Sequence, residues 1–127
     1  MKPMNLLHDL IREVAANEIM PYFLRVQSAR KEDGSVLSQA DLAAQAKLVF
    51  RLPQIIAAPV LGEEMAAGEQ RALWAQHAHS GLWVIDPIDG TNNFVNGLPH
   101  FAVSVAYVAQ RRAQLGAIFN PISGELF

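Results

Sequence analysis

A chain of 127 residues, 51% hydrophobic and 17% charged, is long and apolar enough to bury a core of its own and is no disordered tract. Its net charge of −2 leaves no basic surplus for nucleic acid, and its lack of cysteine excludes a disulfide framework and thiol catalysis. The cysteine usage fits a cytoplasmic setting.

Leu6, Leu7, Leu10, Ile11, Val14 and Ala15 recur at helical spacing, so a first amphipathic helix is predicted over 5–26, with Pro21 kinking or interrupting it. His8, Asp9, Arg12 and Glu13 break up its apolar character, so no signal peptide is read there. Residues 28–37 are polar and hold an Asp33-Gly34 turn. Ser38-x-x-Asp41 has the form of a capping box, and a second helix should follow to about Leu52. That helix carries Leu42, Ala46, Val49 and Leu52 and should stop at Pro53. Residues 55–61 read as a strand whose Pro59 argues for an edge, and they fall far short of the roughly 20 residues that span a bilayer. A short helix over 69–76 comes next. A buried strand follows over 82–86, then two strands over 101–109 and 114–120 joined by residues 110–113. Helices first and hairpin-linked strands after them predict an α+β layer with the helices on one face of the sheet.

The most informative stretch is Asp86-Pro87-Ile88-Asp89-Gly90-Thr91-Asn92-Asn93-Phe94, directly after the apolar run 82–85. Pro87 fixes its own φ and biases Asp86 to extended geometry. The Asp89 carboxylate can then fold back toward that of Asp86. Two like charges so close repel, and a hard cation such as Mg²⁺ would relieve them, with the Ile88 carbonyl as a third oxygen. The competing reading is a surface turn in which both aspartates cap backbone amides. Gly90 permits close backbone approach, and the N–H groups at Gly90 and Thr91 can receive a phosphate, although an Asp-Gly turn is common without one. Glu63-Glu64 after Gly62 could add carboxylates from a second strand end or form a solvated acidic turn. Asp41 fits helix capping as well as chemistry, and Lys31 and Asp33 in their polar loop mean nothing alone. The four histidines read as structural or surface residues: His77 and His79 are two apart, which is not helical ligand spacing. An EF-hand fails, because Ile88 and Thr91 occupy its third and sixth positions.

Taken together, Lys31-x-Asp33-x-Ser35, Ala40-Asp41, Gly62-Glu63-Glu64, the Asp86–Thr91 block with Asn93-Phe94, and Gly116-Ala117-Ile118-Phe119-Asn120-Pro121 resemble the inositol monophosphatase family of Mg²⁺-dependent, lithium-sensitive-type phosphatases. The resemblance runs in order over nearly the whole chain. It implies the N-terminal part of the sugar-phosphatase fold, with two N-terminal helices packed on a mostly antiparallel sheet. It also implies roles. Glu63, Asp86 and the Ile88 carbonyl would hold a first metal ion, and Asp86 and Asp89 a second. Asp89, Gly90 and Thr91 would receive the substrate. Asp41 and Thr91 would activate the attacking water, with Glu64 as a supporting acid. Lys31 and Asp33 would lie on a closing loop. The implied partner is a small-molecule phosphate monoester, with no nucleic acid and no membrane, and a homodimer is the family habit. Relatives use inositol, histidinol, fructose and phosphoadenosine phosphates.

The family's second half, with a Trp-Asp-x-Ala-Ala-Gly-like segment, has no counterpart here, since neither Trp74 nor Trp83 precedes an aspartate. The expectation is therefore a single N-terminal metal- and phosphate-binding domain, residues 1–127, truncated relative to the family. The alternative to an active phosphatase is a non-catalytic fragment or assembly subunit that retains a partial metal site.

Overall fold

A computed structural model describes residues 2–28, 35–63 and 65–127. The chain starts as a helix, α1 (Pro3–Val14), with proline at the first turn, where its missing N–H leaves nothing unpaired. Leu7, Leu10, Ile11 and Val14 form its buried stripe. A π-helical turn, Ala15–Ile19, leads into α2 (Met20–Ser28). The interruption expected from Pro21 is present, although Pro21 itself stands inside α2. The irregularity falls in the turn before it, where the Met20 N–H reaches back to the Ala15 carbonyl. This wider turn makes room for the proline ring, which would otherwise press on the carbonyl four residues earlier. The buried stripe continues through Ala15, Ile19, Phe23 and Val26.

Helix α3 (Ser35–Ile55) departs from the sequence reading in three ways. It begins before Ser38, which therefore lies inside it and caps nothing. It also runs through Pro53, and the Ile56 N–H still bonds the Leu52 carbonyl at 3.2 Å. The carbonyl that Pro53 leaves without a helical donor belongs to Val49, which faces solvent, so water can serve it. Finally, its inward face is Val36, Ala40, Ala44, Leu48 and Leu52, all buried. Of the predicted apolar set only Leu52 is inside; Leu42 is 66% exposed and Val49 41%. The helix has two apolar stripes, and the small side chains of Ala40 and Ala44 let the inner one approach its neighbours closely. Lys47 pairs with Glu13 at 3.1 Å and Glu18 at 3.5 Å, and Arg51 with Glu13 at 3.0 Å, which fixes α3 against α1 and the π turn.

Among the described residues, four strands form one sheet in the order β1 (Val60–Gly62), β2 (Leu82–Asp89), β3 (Ala102–Ala109), β4 (Arg112–Phe119). β1 runs parallel to β2, across the connecting helix α4 (Ala67–His77); the other two pairings are antiparallel. The strand predicted over 55–61 shrinks to three residues at the edge. Ile55 finishes α3, and Pro59 has no N–H to give a ladder, though its carbonyl accepts from the Trp83 N–H at 2.9 Å. The β3–β4 hairpin is tighter than predicted. Gln110 and Arg111 turn it with φ of 55° and 60°, the backbone that a two-residue hairpin requires. Their N–H groups bond the carbonyls of His79 and Ala78, both at 2.8 Å, which offsets the strain of non-glycine residues there.

The fold is thus α+β, with helices packed on a mixed sheet. Trp83 and Ile85 of β2, Val103 and Val105 of β3, and Ala117 and Phe119 of β4 alternate onto the helix-facing side and share the core with α1, α2 and α3. Phe23, Phe94 and Phe101 meet in a ring cluster with centroids 4.8–5.4 Å apart. This cluster backs the turn that follows β2.

Candidate functional site

Two neighbouring strand ends build the site. Parallel pairing sets Gly62 beside Ile85, so Glu63, just past the end of β1, comes next to Asp86, which stays in β2. Gln70 of α4 fastens the β1 end: its Nε2 donates to the carbonyls of Gly62 and Glu63, both at 3.0 Å. Asp86 opposes Ser104, and then the ladder skips to Asp89 opposite Ala102. Pro87 cannot donate to the ladder, and in this irregularity Ile88 turns into the core while Asp89 stays exposed. β2 thereby runs three residues past its predicted end.

Asp86 carries the electrostatic signature of the site. Its carboxyl is pushed up from the ordinary 3.8 to about 7. Burial is the first cause, followed by a hydrogen bond with Glu63 and the negative charges of Glu63 and Asp89; the Ile88 N–H acts in the opposite sense. Below about pH 7, Asp86 therefore keeps its proton, at a place where a cation could stand.

Gly90 (φ 100°) joins β2 to the short helix α5 (Thr91–Val95). A Cβ there would lie 2.8 Å from the His100 carbonyl, so only glycine fits. The same carbonyl accepts from Asn93 Nδ2 at 2.8 Å, which ties α5 to the strand entering the sheet at Ala102. The Phe94 N–H bonds the Gly90 carbonyl at 3.1 Å, closing the first turn.

One cavity of about 250 Å³ is lined by Asp41, Glu63, Asp86, Ile88 and Thr91. These residues come from α3, the end of β1, and the β2–α5 junction. A second cavity, about 340 Å³, is lined by Asp89, Gly90, His100, Phe101, Ala102 and Asn120. The two share no lining residue and meet at the Gly90–Thr91 turn. The structure therefore gathers Asp41, Glu63, Asp86, Ile88 and Thr91, and sets Asp89 and Gly90 on the other flank. Glu64, Lys31 and Asp33 lie outside the described residues.

Among the described residues, no three His, Cys, Asp or Glu side chains stand close enough to hold a metal ion as they are placed. The chemistry of the site nevertheless fits a hard cation. The Asp86 carboxyl is hydrogen-bonded with Glu63 and feels the negative charges of Glu63 and Asp89, and the buried Gln45 Oε1 has no hydrogen-bond partner among the described residues. Gln45 leans over Gly62, at 3.0 Å from where a Cβ would stand. An acceptor left unsatisfied beside a carboxyl pair calls for a donor such as a hydrated cation.

Sequence reasoning took His100 as a structural or surface residue and gave no site role to Gln45 or Asn120; the structure puts His100 and Asn120 in the lining of the second cavity and Gln45 over Gly62. Gln45 lies one helical turn after Asp41, and that spacing was its available signal. The antiparallel return of β3, which brings Ala102 opposite Asp89, was the signal for His100.

Comparison with known proteins agrees with this architecture. The sequence profile described as "Inositol monophosphatase family" matches residues 4–127. A protein named Nus factor SuhB from Haemophilus influenzae is 33% identical over 103 residues, covering 80% of this chain and 36% of that protein. A Thermotoga maritima protein named fructose-1,6-bisphosphatase/inositol-1-monophosphatase is 32% identical over 118 residues, covering 91% and 43%. The solved structure of an inositol monophosphatase from Zymomonas mobilis superposes with a TM-score of 0.70 at 32% identity, covering 97% of this chain and 45% of that one. The chain spans less than half the length of these relatives.

Proposed function

The chain belongs to the inositol monophosphatase family, and from that premise we propose that it carries the metal- and phosphate-binding part of a Mg²⁺-dependent phosphomonoesterase. The substrate class is a small polyol or sugar phosphate, and the setting is cytoplasmic. No described helix is long and apolar enough to cross a membrane. No nucleic-acid partner enters this reading.

Glu63, Asp86, the Ile88 carbonyl and Asp89 would hold the ions. Bound Mg²⁺ supplies a lowered pKa for water and charge stabilisation for the phosphoryl oxygens. The chain's own groups do the rest. Asp41 and Thr91, lining one cavity, orient the attacking water and take up its proton. Glu64 supports them. The amides of Gly90 and Thr91 receive the phosphoryl oxygens, and Lys31 and Asp33, outside the described residues, would keep the loop role that the family resemblance implies. The observation that carries this reading is the single cavity gathering Asp41, Glu63, Asp86, Ile88 and Thr91 from separate stretches of sequence.

The test is a phosphate-release assay with a panel of monoesters under titrated Mg²⁺. The expected result is Mg²⁺-dependent release that Asp89→Asn abolishes. Turnover that persists in chelator would overturn it.

The alternative is a non-catalytic fragment or assembly subunit that keeps a partial cation site. One observation favours it: the Haemophilus relative, 33% identical to this chain, is named as a Nus factor. Mg²⁺ binding with no turnover of any monoester would select this reading.

A further inference from the structure

The acidic cavity takes Glu63 from a place where the sheet no longer holds the chain. The β1 ladder ends at Gly62, opposite Ile85, and Glu63 stands past it in a turn. Two helices meet this strand end and grip it differently. From α3, the Gln45 amide lies over Gly62, 3.0–3.2 Å from where a Cβ would stand, but its buried Oε1 has no hydrogen-bond partner among the described residues. From α4, Gln70 Nε2 donates to the Gly62 and Glu63 carbonyls, both at 3.0 Å. We infer that Gln70 is a positioning residue: it aims Glu63 at Asp86 and couples the seating of α4 to cation binding. The inference rests on the reading of Glu63 and Asp86 as cation ligands.

α4 is weakly seated by itself. It has no fully buried residue, and its N-cap residue, Ala66, gives the first turn no side-chain bond. A short helix ordinarily depends on packing an apolar face, and here that hold is slight. At the far end, Ala78 and His79 just after the helix are moored to the β3–β4 turn: the Arg111 and Gln110 N–H groups reach their carbonyls at 2.8 Å. At the near end the mooring is Gln70. Its amide nitrogen carries two hydrogens, so one side chain can serve two successive carbonyls of the strand end. The Gly62 carbonyl also accepts from the Met65 N–H at 3.3 Å, which folds the turn back under the same residue.

Withdrawing α4 would release the backbone that carries Glu63. A cation bound between Glu63 and Asp86 would in turn hold α4 in place, and linkage makes the two effects equal in free energy. A glutamine that only satisfied two carbonyls would leave cation affinity and the response of α4 unchanged.

The test is an amide NMR titration of the isotope-labelled chain with Mg²⁺. In the unmodified chain, the Gln70 side-chain amide and the backbone amides of α4 should shift with the same midpoint as the Glu63 amide. Gln70→Met, matched in length but without donors, should weaken Mg²⁺ affinity about fivefold, the worth of one net hydrogen bond. The α4 amides should then cease to follow the ion. Gln70→Asn, whose donors sit on a stem one methylene shorter, should behave alike. Gln76→Met makes the same change at an exposed position in the last turn of α4 and should keep the unmodified affinity. Full affinity in Gln70→Met or Gln70→Asn would overturn the proposal, as would α4 amides that still follow the ion in both, or an equal loss in Gln76→Met. Each of these outcomes leaves the cation site standing. No Mg²⁺ binding by the unmodified chain removes the cation-site reading and the coupling with it.

Discussion

The two walls of the acidic cavity are built on different principles. The β2–α5 wall is specified residue by residue: Pro87 interrupts the ladder, Ile88 anchors the irregularity, Gly90 alone fits against the His100 carbonyl, and Phe94 packs behind. The α3 wall is specified by packing at a distance. Asp41 and Gln45 face the site because Ala40, Ala44 and Leu48 face the core, and nothing between 38 and 52 announces that choice locally. A turn is written in its own residues, whereas the rotation of a helix with two apolar stripes is written in its neighbours.

The contrast can be broken by mutation. Leu48→Ala should cost about 3 kcal/mol in chemical denaturation, because it opens a cavity in the inner stripe. Leu42→Gln, on the outer stripe, should change stability by less than about 0.5 kcal/mol; comparable losses from both would mean that α3 is rotated from the orientation described. Gly90→Ala comes next, at about 2 kcal/mol, from positive φ and the clash with the His100 carbonyl. Its denaturation midpoint should fall even without metal, and an unchanged midpoint would contradict the close approach.

A smaller effect is set by Asp86. In the folded chain it keeps its proton to about pH 7, whereas unfolded it releases it near 3.8. Between those values the native state binds more protons, so metal-free stability declines as pH rises through 7. Asp86 is partly exposed, and with solvent screening the decline should be roughly 1 kcal/mol. Asp86→Asn should flatten that slope in a pH series of thermal melts. The same proton competes with a cation, so apparent Mg²⁺ affinity should weaken below about pH 7.

Much of the molecule was legible in advance. The α+β layer, the edge position signalled by Pro59, and the Asp86–Thr91 junction all follow from patterns within ten residues. The misreadings share a physical cause. Pro53 sits in a last turn where solvent can serve the freed carbonyl, and Ser38 lies in a helix that had already begun, so neither boundary signal was decisive. That His100 and Asn120 line a cavity with Asp89 was not legible locally, because only the sheet brings them together.

β1 pairs over just three residues, at the open side of the sheet, and Glu63 hangs from its end. Fraying there costs little of the global free energy, and it would swing one carboxyl away from Asp86 while the rest of the core stays closed. An ion gripping both strand ends acts as a rivet on that weakest seam. Amide hydrogens of residues 60–63 should then exchange more slowly when it is bound, and saturation with it should raise the melting temperature.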